Sequence, residues 1–198
     1  ERINRQLLAL QREAWQEAVV KLREQGKIDA FGLSLVFPLE AGHLPSKAIA
    51  TGLVDACQVV YNIYEQGPQA ELFPLARKAN VGIIARCPLD EGALTGQITP
   101  DCSFPEDDWR NDYFSGDRKE EVYRRAQELE RLTCGDAECL SEAALRYCLS
   151  HPAVSTVIAG MRQANHVRAN AEAVDKGPLP ADLLERLAGH AWHHNYWV

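Results

Sequence analysis

Val81-Gly82-Ile83-Ile84-Ala85-Arg86-Cys87-Pro88-Leu89 is the stretch of sequence that decides the fold class. Its first five residues are apolar or small, without the polar alternation of a strand that faces water on one side. Such a run is typical of a strand in a parallel sheet that is covered on both faces. Three other stretches are similarly short and mostly apolar, at residues 28–34, 56–61 and 154–159.

Helical periodicity surrounds these four predicted strands. Apolar residues recur at spacings of three and four over residues 5–25, 70–79 and 118–132. Further helices are predicted at residues 47–52, 141–150, 163–174 and 181–190, with Ser46 and Ser141 as N-caps of the first two. The resulting order, α-β-α-β-α-β-α-α-β-α-α, indicates an α/β fold with parallel strands.

Two architectures fit this order. One is an open, doubly wound sheet, and the other is part of a (β/α)8 barrel, which has eight strands and ~250 residues when complete. No GxGxxG motif follows a predicted strand, so the phosphate turn of an ordinary dinucleotide-binding half is missing. Residues 88–117 form a long connection rich in Gly, Pro and Asp, and long ordered connections are usually functional.

Composition narrows the classes of function. Of the 198 residues, 46% are hydrophobic and 25% are charged, which is typical of a folded globular domain. The net charge of −7 disfavours contact with a phosphate backbone, so we expect no nucleic-acid partner. The longest apolar run falls far short of the ~20 residues that a membrane span needs, so we expect no membrane partner either.

The cysteines and the first residue give two further expectations. Six cysteines without a CxxC pair indicate free thiols in a reducing, cytoplasmic compartment. Cys134, Cys139 and the pair His193-His194 lack the spacing of a compact zinc motif, so no metal site is predicted. The chain starts at Glu1 and not at Met, which leads us to expect that upstream sequence has been removed or is missing.

Four blocks of sequence resemble the aldo-keto reductase family. Gly26-Lys27-Ile28-Asp29-Ala30-Phe31-Gly32-Leu33-Ser34 resembles the family's GKIRxxGxS strand, and Cys57-Gln58-Val59-Val60-Tyr61-Asn62 resembles the strand that follows it. Residues 82–96 are similar to the segment GIxxxxPLxxGxLTG, and residues 157–170 are similar to the last strand with its continuation IPGxxxxxxxxxN. The blocks occur in the family's order and at its spacing over nearly the whole chain.

The resemblance implies a fold and an activity. The fold is α/β, the carboxy-terminal half of a (β/α)8 TIM barrel, with four parallel strands and surrounding helices in one partial barrel domain over residues 1–198. The complete protein would be an NADP-dependent oxidoreductase that reduces aldehydes or ketones, its small-molecule carbonyl substrates, to alcohols. The family's catalytic tetrad of Asp, Tyr, Lys and His belongs to the absent amino-terminal half, so we expect no catalytic residue in this segment and no activity from it alone. The alternatives are a non-catalytic, nucleotide-binding or regulatory relative and an inactive truncated product.

The resemblance also implies a cofactor site for NADP. Ser34 and Gln58 would hold the nicotinamide carboxamide, and Arg86 would begin the segment that passes the nicotinamide and the pyrophosphate. The loop after it would bind through its backbone, the segment after the last strand would face the adenosine phosphates, and two helix residues would face the adenine. The expected cofactor-binding residues are Ser34, Gln58, Arg86, Cys87, Pro88, Leu89, Gly92, Leu94, Gly160, Met161, Arg162, His166 and Asn170.

This sequence departs from the family pattern at a few of these places. Leu35 stands where many members have Asn, Arg86 where many have an aromatic residue, His166 where many have Gln, and Ala169 where many have Glu. A guanidinium at position 86 can stack on a ring or pair with a phosphate, so the cofactor remains expected although individual contacts differ.

A half-barrel has two open edges, here at residues 28–34 and 154–159. We therefore expect a partner for these edges, either the amino-terminal half of the barrel or a second copy in a homo-oligomer. Phe31, Leu33, Val59 and Ile84 are the apolar candidates for the inward face, with the choice between alternating positions open. The carboxy-terminal tail is expected to dock on the domain through His190, Trp192, His193, His194 and Trp197.

Overall fold

The computed structural model describes residues 14–36 and 45–194. Within these ranges, four parallel strands form one sheet in the order β1-β2-β3-β4. The strands are β1, Gly32–Ser34; β2, Ala56–Val60; β3, Gly82–Arg86; and β4, Val154–Ile158. The predicted α/β fold with four parallel strands is thereby confirmed.

Seven of the eight helices in the described ranges lie where the periodicity predicted them, and the eighth falls in the long connection at residues 88–117. They are α1, Ala14–Glu24; α2, Ser46–Ala50; α3, Leu72–Ala79; α4, Arg110–Tyr113; α5, Arg118–Thr133; α6, Leu140–Ser150; α7, Ala164–Asp175; and α8, Ala181–Ala188. Gly67–Gln69 is a short 3-10 helix, and Asp90–Thr95 consists of 3-10 turns interrupted by a kink, with non-helical backbone at Glu91, Gly92 and Leu94. Residues 5–13 of the first predicted helix and Trp197 of the tail lie outside the described residues. No helix in the described ranges is long and apolar enough to cross a membrane.

Both predicted serine N-caps are wrong. Ser46 is the first residue of α2, whose N-cap is Pro45, and Ser141 lies inside α6, whose N-cap is Cys139. Leu140 is only 2% exposed, and burial of a leucine contributes about 1.5–3 kcal/mol, more than the ~1 kcal/mol of a typical cap. Helix α6 thus starts at the buried Leu140, one residue before Ser141.

The long connection is more structured than the sequence indicated. It contains the 3-10 turns of Asp90–Thr95 and helix α4. Tyr113 and Phe114 are buried, and Phe114 stacks on Phe104 with 5.9 Å between ring centroids. Tyr113 and Phe114 belong to the hydrophobic core, which anchors this part of the connection to the domain.

The two faces of the sheet differ in burial. Cys57, Val59, Ile83 and Ala85 are at most 1% exposed, and they share one hydrophobic core with residues of α3 and α6. Leu33 pairs with Cys57, so it lies on this helix-covered face, and Phe31 stacks on Trp15 of α1. Of the four apolar candidates for the inward face, only Ile84 lies on the opposite, half-exposed face. The other three lie on the helix side.

Candidate functional site

The half-exposed face of the sheet carries three of the expected site residues side by side. Ser34 is the register partner of Gln58, and Gln58 is the partner of Ile84. Arg86 lies two residues beyond Ile84, so its side chain is on the same face at the carboxyl end of β3. The structure thus brings Ser34, Gln58 and Arg86 onto one accessible surface, as the resemblance implied.

Arg86 lies across the carboxyl ends of the strands. Its Nη2 donates a hydrogen bond to the carbonyl oxygen of Leu35, just after β1, at 3.3 Å. Among the described residues, its Nε is buried and has no hydrogen-bond partner. Buried polar groups are nearly always satisfied in folded proteins, so this N–H is suited to an acceptor on a bound ligand.

The loop after β3 has an unusual backbone. Cys87, Asp90 and Glu91 have φ values of 52°, 48° and 55°, and Gly92 has a φ of 109°. Non-glycine residues in this region cost free energy, and such residues cluster at functional sites. Other contacts must therefore hold the segment 87–96, which we call the β3 loop.

Asn62 is one of those contacts. Its side chain is fully buried, and its Nδ2 donates hydrogen bonds to the Cys87 carbonyl at 2.9 Å and to Asp90 Oδ1 at 3.2 Å. Its Oδ1 accepts from the backbone N–H groups of Tyr64 and Glu65 at 2.9 and 2.8 Å. This single amide joins the segment after β2 to the β3 loop.

The Cys87 thiol is not set up as a nucleophile. It donates a hydrogen bond to Glu91 Oε1 at 3.3 Å. Burial, with a smaller effect of Glu91, raises the pKa of Cys87 to about 12, and burial also raises the pKa of Glu91. The thiol is protonated at neutral pH, so Cys87 has no reactive thiolate to offer.

The remaining expected residues of the β3 loop face the core. Pro88 and Leu94 are buried and Leu89 is half-buried. Their side chains are therefore committed to packing, and a ligand would meet this loop mainly through its backbone. That arrangement is compatible with the backbone contacts that the resemblance implied.

A second group of expected residues lies after β4. Arg86 pairs with Ile158 in the sheet, so residues 160–162 leave the same edge as the β3 loop. Gly160, Met161 and Arg162 are exposed. Within the described ranges, no side chain caps the N-terminus of α7, and no acidic residue lies in its first turn. Helix N-termini of this kind favour anions.

Helix α7 adds two half-buried polar residues. His166 and Asn170 lie four residues apart, on one face of the helix. In the part of the chain that the structure describes, Asn170 Nδ2 is buried without a hydrogen-bond partner. This is a second buried donor, on the helix that follows β4.

The long connection approaches the segment after β4 from outside. Hydrogen bonds from Arg110, with a small contribution from the positive charge of Arg162, lower the pKa of Asp108 to about 2. Arg162 is therefore within electrostatic reach of Asp108. The Arg162 side chain itself is solvent-exposed.

Sequence reasoning missed several residues that shape this site. The sequence pattern places Asn62 only at the end of a strand block and assigns no role to Asp90 and Glu91 inside the loop. The residue type of Asp90 could have indicated a tight turn in this loop, because Asp and Asn tolerate positive φ better than most residues. His194 contacts Asp90, 104 positions away, and no local pattern indicates such a contact.

Comparisons with known proteins place the chain among the aldo-keto reductases. The family model described as "Aldo/keto reductase family" matches residues 8–191. An uncharacterized oxidoreductase (YqkF) of Bacillus subtilis is 24% identical over 88% of this chain and 54% of its own length. The NADH-specific methylglyoxal reductase of Escherichia coli is 26% identical over 85% of this chain and 51% of its own.

Solved structures give the same result for the fold. A glycerol dehydrogenase of Gluconobacter oxydans superposes with a TM-score of 0.70 at 24% identity, covering 86% of this chain and 51% of that one. The holo form of an aldo-keto reductase of Bacillus halodurans gives 0.63 at 27% identity, covering 91% and 57%. The four-stranded sheet thus corresponds to about half of a TIM barrel, and the chain spans about half the length of the curated relatives it matches. With a family model that covers most of its length, the chain belongs to the aldo/keto reductase family.

Proposed function

We propose that the protein is an NADP-dependent oxidoreductase that reduces aldehydes or ketones to alcohols, and that this segment supplies the cofactor-binding half of its barrel. The observation that carries the proposal is the position of Arg86. It lies beside Ser34 and Gln58, at the edge where the strained β3 loop begins, and it has a buried Nε without a partner among the described residues.

The residues present fit a nicotinamide cofactor. The hydroxyl of Ser34 and the amide of Gln58 are together able to bind both the C=O and the NH2 of a carboxamide. Arg86 contributes the N–H groups of a guanidinium, which can stack on a flat ring or bond to a phosphate oxygen. The chemistry that NADP supplies when bound is hydride transfer, and the protein residues bind and orient it.

The far end of the site fits a phosphorylated adenosine. Gly160, Met161 and the N-terminus of α7 present backbone N–H groups in an exposed segment without acidic residues in the first turn of the helix. Arg162 supplies a charge for the 2′-phosphate, and His166 with Asn170 supplies polar groups for the adenine. The preference for NADP over NAD rests on Arg162. A relative named as NADH-specific is found among the similar proteins, so this preference needs its own test.

A second candidate function is that of a nucleotide-binding regulatory protein. Two plant relatives are named as probable voltage-gated potassium channel β subunits, one from Arabidopsis thaliana at 28% identity over 64% of this chain and one from rice. In that case the same site would bind the cofactor without sustained turnover. All six cysteines lie in the described residues and none forms a disulfide, which supports a cytoplasmic location for either function.

The test is a titration of the purified protein with NADPH, followed by absorbance at the cofactor band with a panel of aldehydes and ketones. We expect binding, and turnover by the complete enzyme in the usual range of about 1 per second or more. Arg86→Met should weaken NADPH binding, whereas Arg77→Met, at an exposed arginine in the last turn of α3, should not. Absence of NADPH binding would reject both candidates, and binding without turnover in the complete protein would favour the regulatory one.

A further inference from the structure

The carboxy-terminal tail lies against the segments that follow β2 and β3. The backbone N–H of Trp192 donates a hydrogen bond to the carbonyl of Tyr64 at 2.9 Å, and the two rings meet edge to face at 5.3 Å. The guanidinium of Arg125, on α5, lies 4.0 Å from the centre of the Trp192 ring. These contacts fix residues 192–194, which we call the tail latch, beside the β3 loop.

His194 is the residue of the tail latch that reaches the β3 loop. Its side chain is only 6% exposed, and its Nε2 lies 3.0 Å from Asp90 Oδ2, on a side chain that is 9% exposed. Its Nδ1 lies 2.9 Å from the carbonyl oxygen of Trp192, and its ring stacks on that of Trp192 at 3.9 Å. The ring is therefore fixed in position and orientation.

The partners of His194 select its protonation state. A carboxylate oxygen and a carbonyl oxygen are both acceptors, and a neutral imidazole has only one N–H to donate. Only the imidazolium, with an N–H on each nitrogen, can donate to both at once. Geometry alone thus indicates that this arrangement is built for protonated His194.

Asp90 transmits the contact to the loop. Its Oδ2 meets His194, while its Oδ1 accepts from Asn62 Nδ2, which also holds the Cys87 carbonyl. Asp90 has a φ of 48°, and Cys87 and Glu91 are similarly strained. A backbone in this region persists only where its surroundings hold it.

We propose that protonated His194 is a positioning residue, which acts through Asp90 to hold the β3 loop in its strained, ligand-ready form. The role of this loop in binding a cofactor rests on the function proposed above, but the latch itself does not. The loop is held while His194 is protonated and loosens as the pH rises and the imidazolium is lost.

The groups that face His194 set the pH at which the latch opens. Burial opposes its charge, but the hydrogen bond and the negative charge of Asp90 raise the pKa of His194 above the ordinary value, against a smaller opposing effect of Arg125. Glu65, from the segment after β2, faces the neighbouring His193 at 3.6 Å. At pH 6.5, the ordinary histidine pKa, His194 is therefore mostly protonated and the latch is closed. The latch opens at a higher pH, where the imidazolium is lost.

Hydrogen exchange of the β3 loop tests the proposal. The amides of Gly92 and Leu94, which donate to the Leu89 carbonyl, report on the folded loop. Their exchange rates are first corrected for the intrinsic acceleration of amide exchange by base. The remaining protection of these amides from exchange in the wild-type protein should then fall as the pH rises above 6.5. A hydrogen bond to a charged group accounts for roughly a 10- to 100-fold change in an equilibrium, which is the loss of protection expected here.

Three variants separate positioning from general stability. His194→Ala should lack the extra protection at every pH, and His194→Gln, which keeps a donor without titrating, should keep part of it with no pH dependence. His193→Ala is the matched control, because that imidazole is 76% exposed, and it should behave as the wild type does. A wild-type protection profile without a step, or an unchanged step in either His194 variant, would overturn the proposal.

The same variants distinguish failure of the latch from failure of the proposed function. If NADPH does not bind to the wild-type protein, the cofactor assignment fails, while loop exchange still decides on the latch. If NADPH binds, its Kd should follow the same pH profile in the wild type and lose that profile in His194→Gln. If His194→Ala does not fold, the wild-type profile and the Gln variant decide the outcome.

Discussion

Replacement of Asn62 by alanine is the sharpest test of how the β3 loop is held. The wild-type amide is 0% exposed and makes four hydrogen bonds, to Cys87, Asp90, Tyr64 and Glu65. Asn62→Ala removes all four bonds and deprives the buried N–H group of Glu65 of its acceptor, whereas the Cys87 carbonyl keeps the bond from the Asp90 N–H. At roughly 1 kcal/mol for each bond, and up to about 3 kcal/mol for a stranded buried group, we expect a loss of about 3–5 kcal/mol in the free energy of unfolding.

Urea denaturation measures this loss. With an m-value of about 2 kcal/mol/M, a loss of ~4 kcal/mol lowers the midpoint by roughly 2 M. The matched control is Asn111→Ala, because Asn111 also donates to backbone carbonyls, those of Pro105 and Glu106, but is exposed. Its substitution should change stability by less than about 0.5 kcal/mol.

A milder variant, Asn62→Asp, keeps the test informative if Asn62→Ala does not fold. Asn62→Asp keeps the oxygen that accepts from Tyr64 and Glu65, but it replaces the donor that faces Cys87 and Asp90 with a carboxylate oxygen. It should be destabilised at neutral pH and recover in part when the introduced carboxyl is protonated and donates again. A loss in Asn62→Ala no larger than that of Asn111→Ala would refute the idea that this amide holds the loop.

Other predictions concern the cofactor, the segment and its ion pairs. Arg162→Ala should weaken NADPH binding by ~1–3 kcal/mol with little effect on NADH, since a charge-assisted bond to the 2′-phosphate is lost. The control Arg168→Ala, at an exposed position on α7, should affect neither cofactor, and equal losses for both cofactors in Arg162→Ala would reject the assignment. The 198-residue segment should not oxidise NADPH with aldehydes when it is assayed alone, and measurable turnover would contradict its assignment as the half without catalytic residues. Burial opposes the charge of Glu142, but hydrogen bonds from Lys176 and Arg146 lower its pKa below the ordinary 4.5, so this carboxylate stabilises the fold above pH 4.5. That stabilisation should disappear as the pH falls through the lowered pKa, and Glu142→Gln should flatten the acid side of a thermal-melting profile.

The architecture was predictable because it depends on local patterns. The buried strands are recognisable as short runs, such as residues 82–85, that are apolar or small throughout. The helices are recognisable because apolar residues recur every three or four positions. Element order and strand direction therefore follow from neighbours in sequence. Even so, both predicted serine caps failed, because α2 starts at Ser46 itself and α6 starts at the buried Leu140. The expected cofactor residues came from motif resemblance, and the structure shows that Ser34, Gln58 and Arg86 share one accessible face.

What only the tertiary structure decided is which face is covered and which distant groups meet. Ile83 and Ile84 are equally apolar, so the sequence by itself could not say that the first lies in the core and the second on the half-exposed face. Arg86 reaches the Leu35 carbonyl, 51 positions away, and His194 reaches Asp90, 104 positions away. A sequence specifies local conformation through each residue and its neighbours. Contacts such as those of Arg86 and His194 arise only when the helices pack on the sheet, because packing excludes water and brings remote polar groups together.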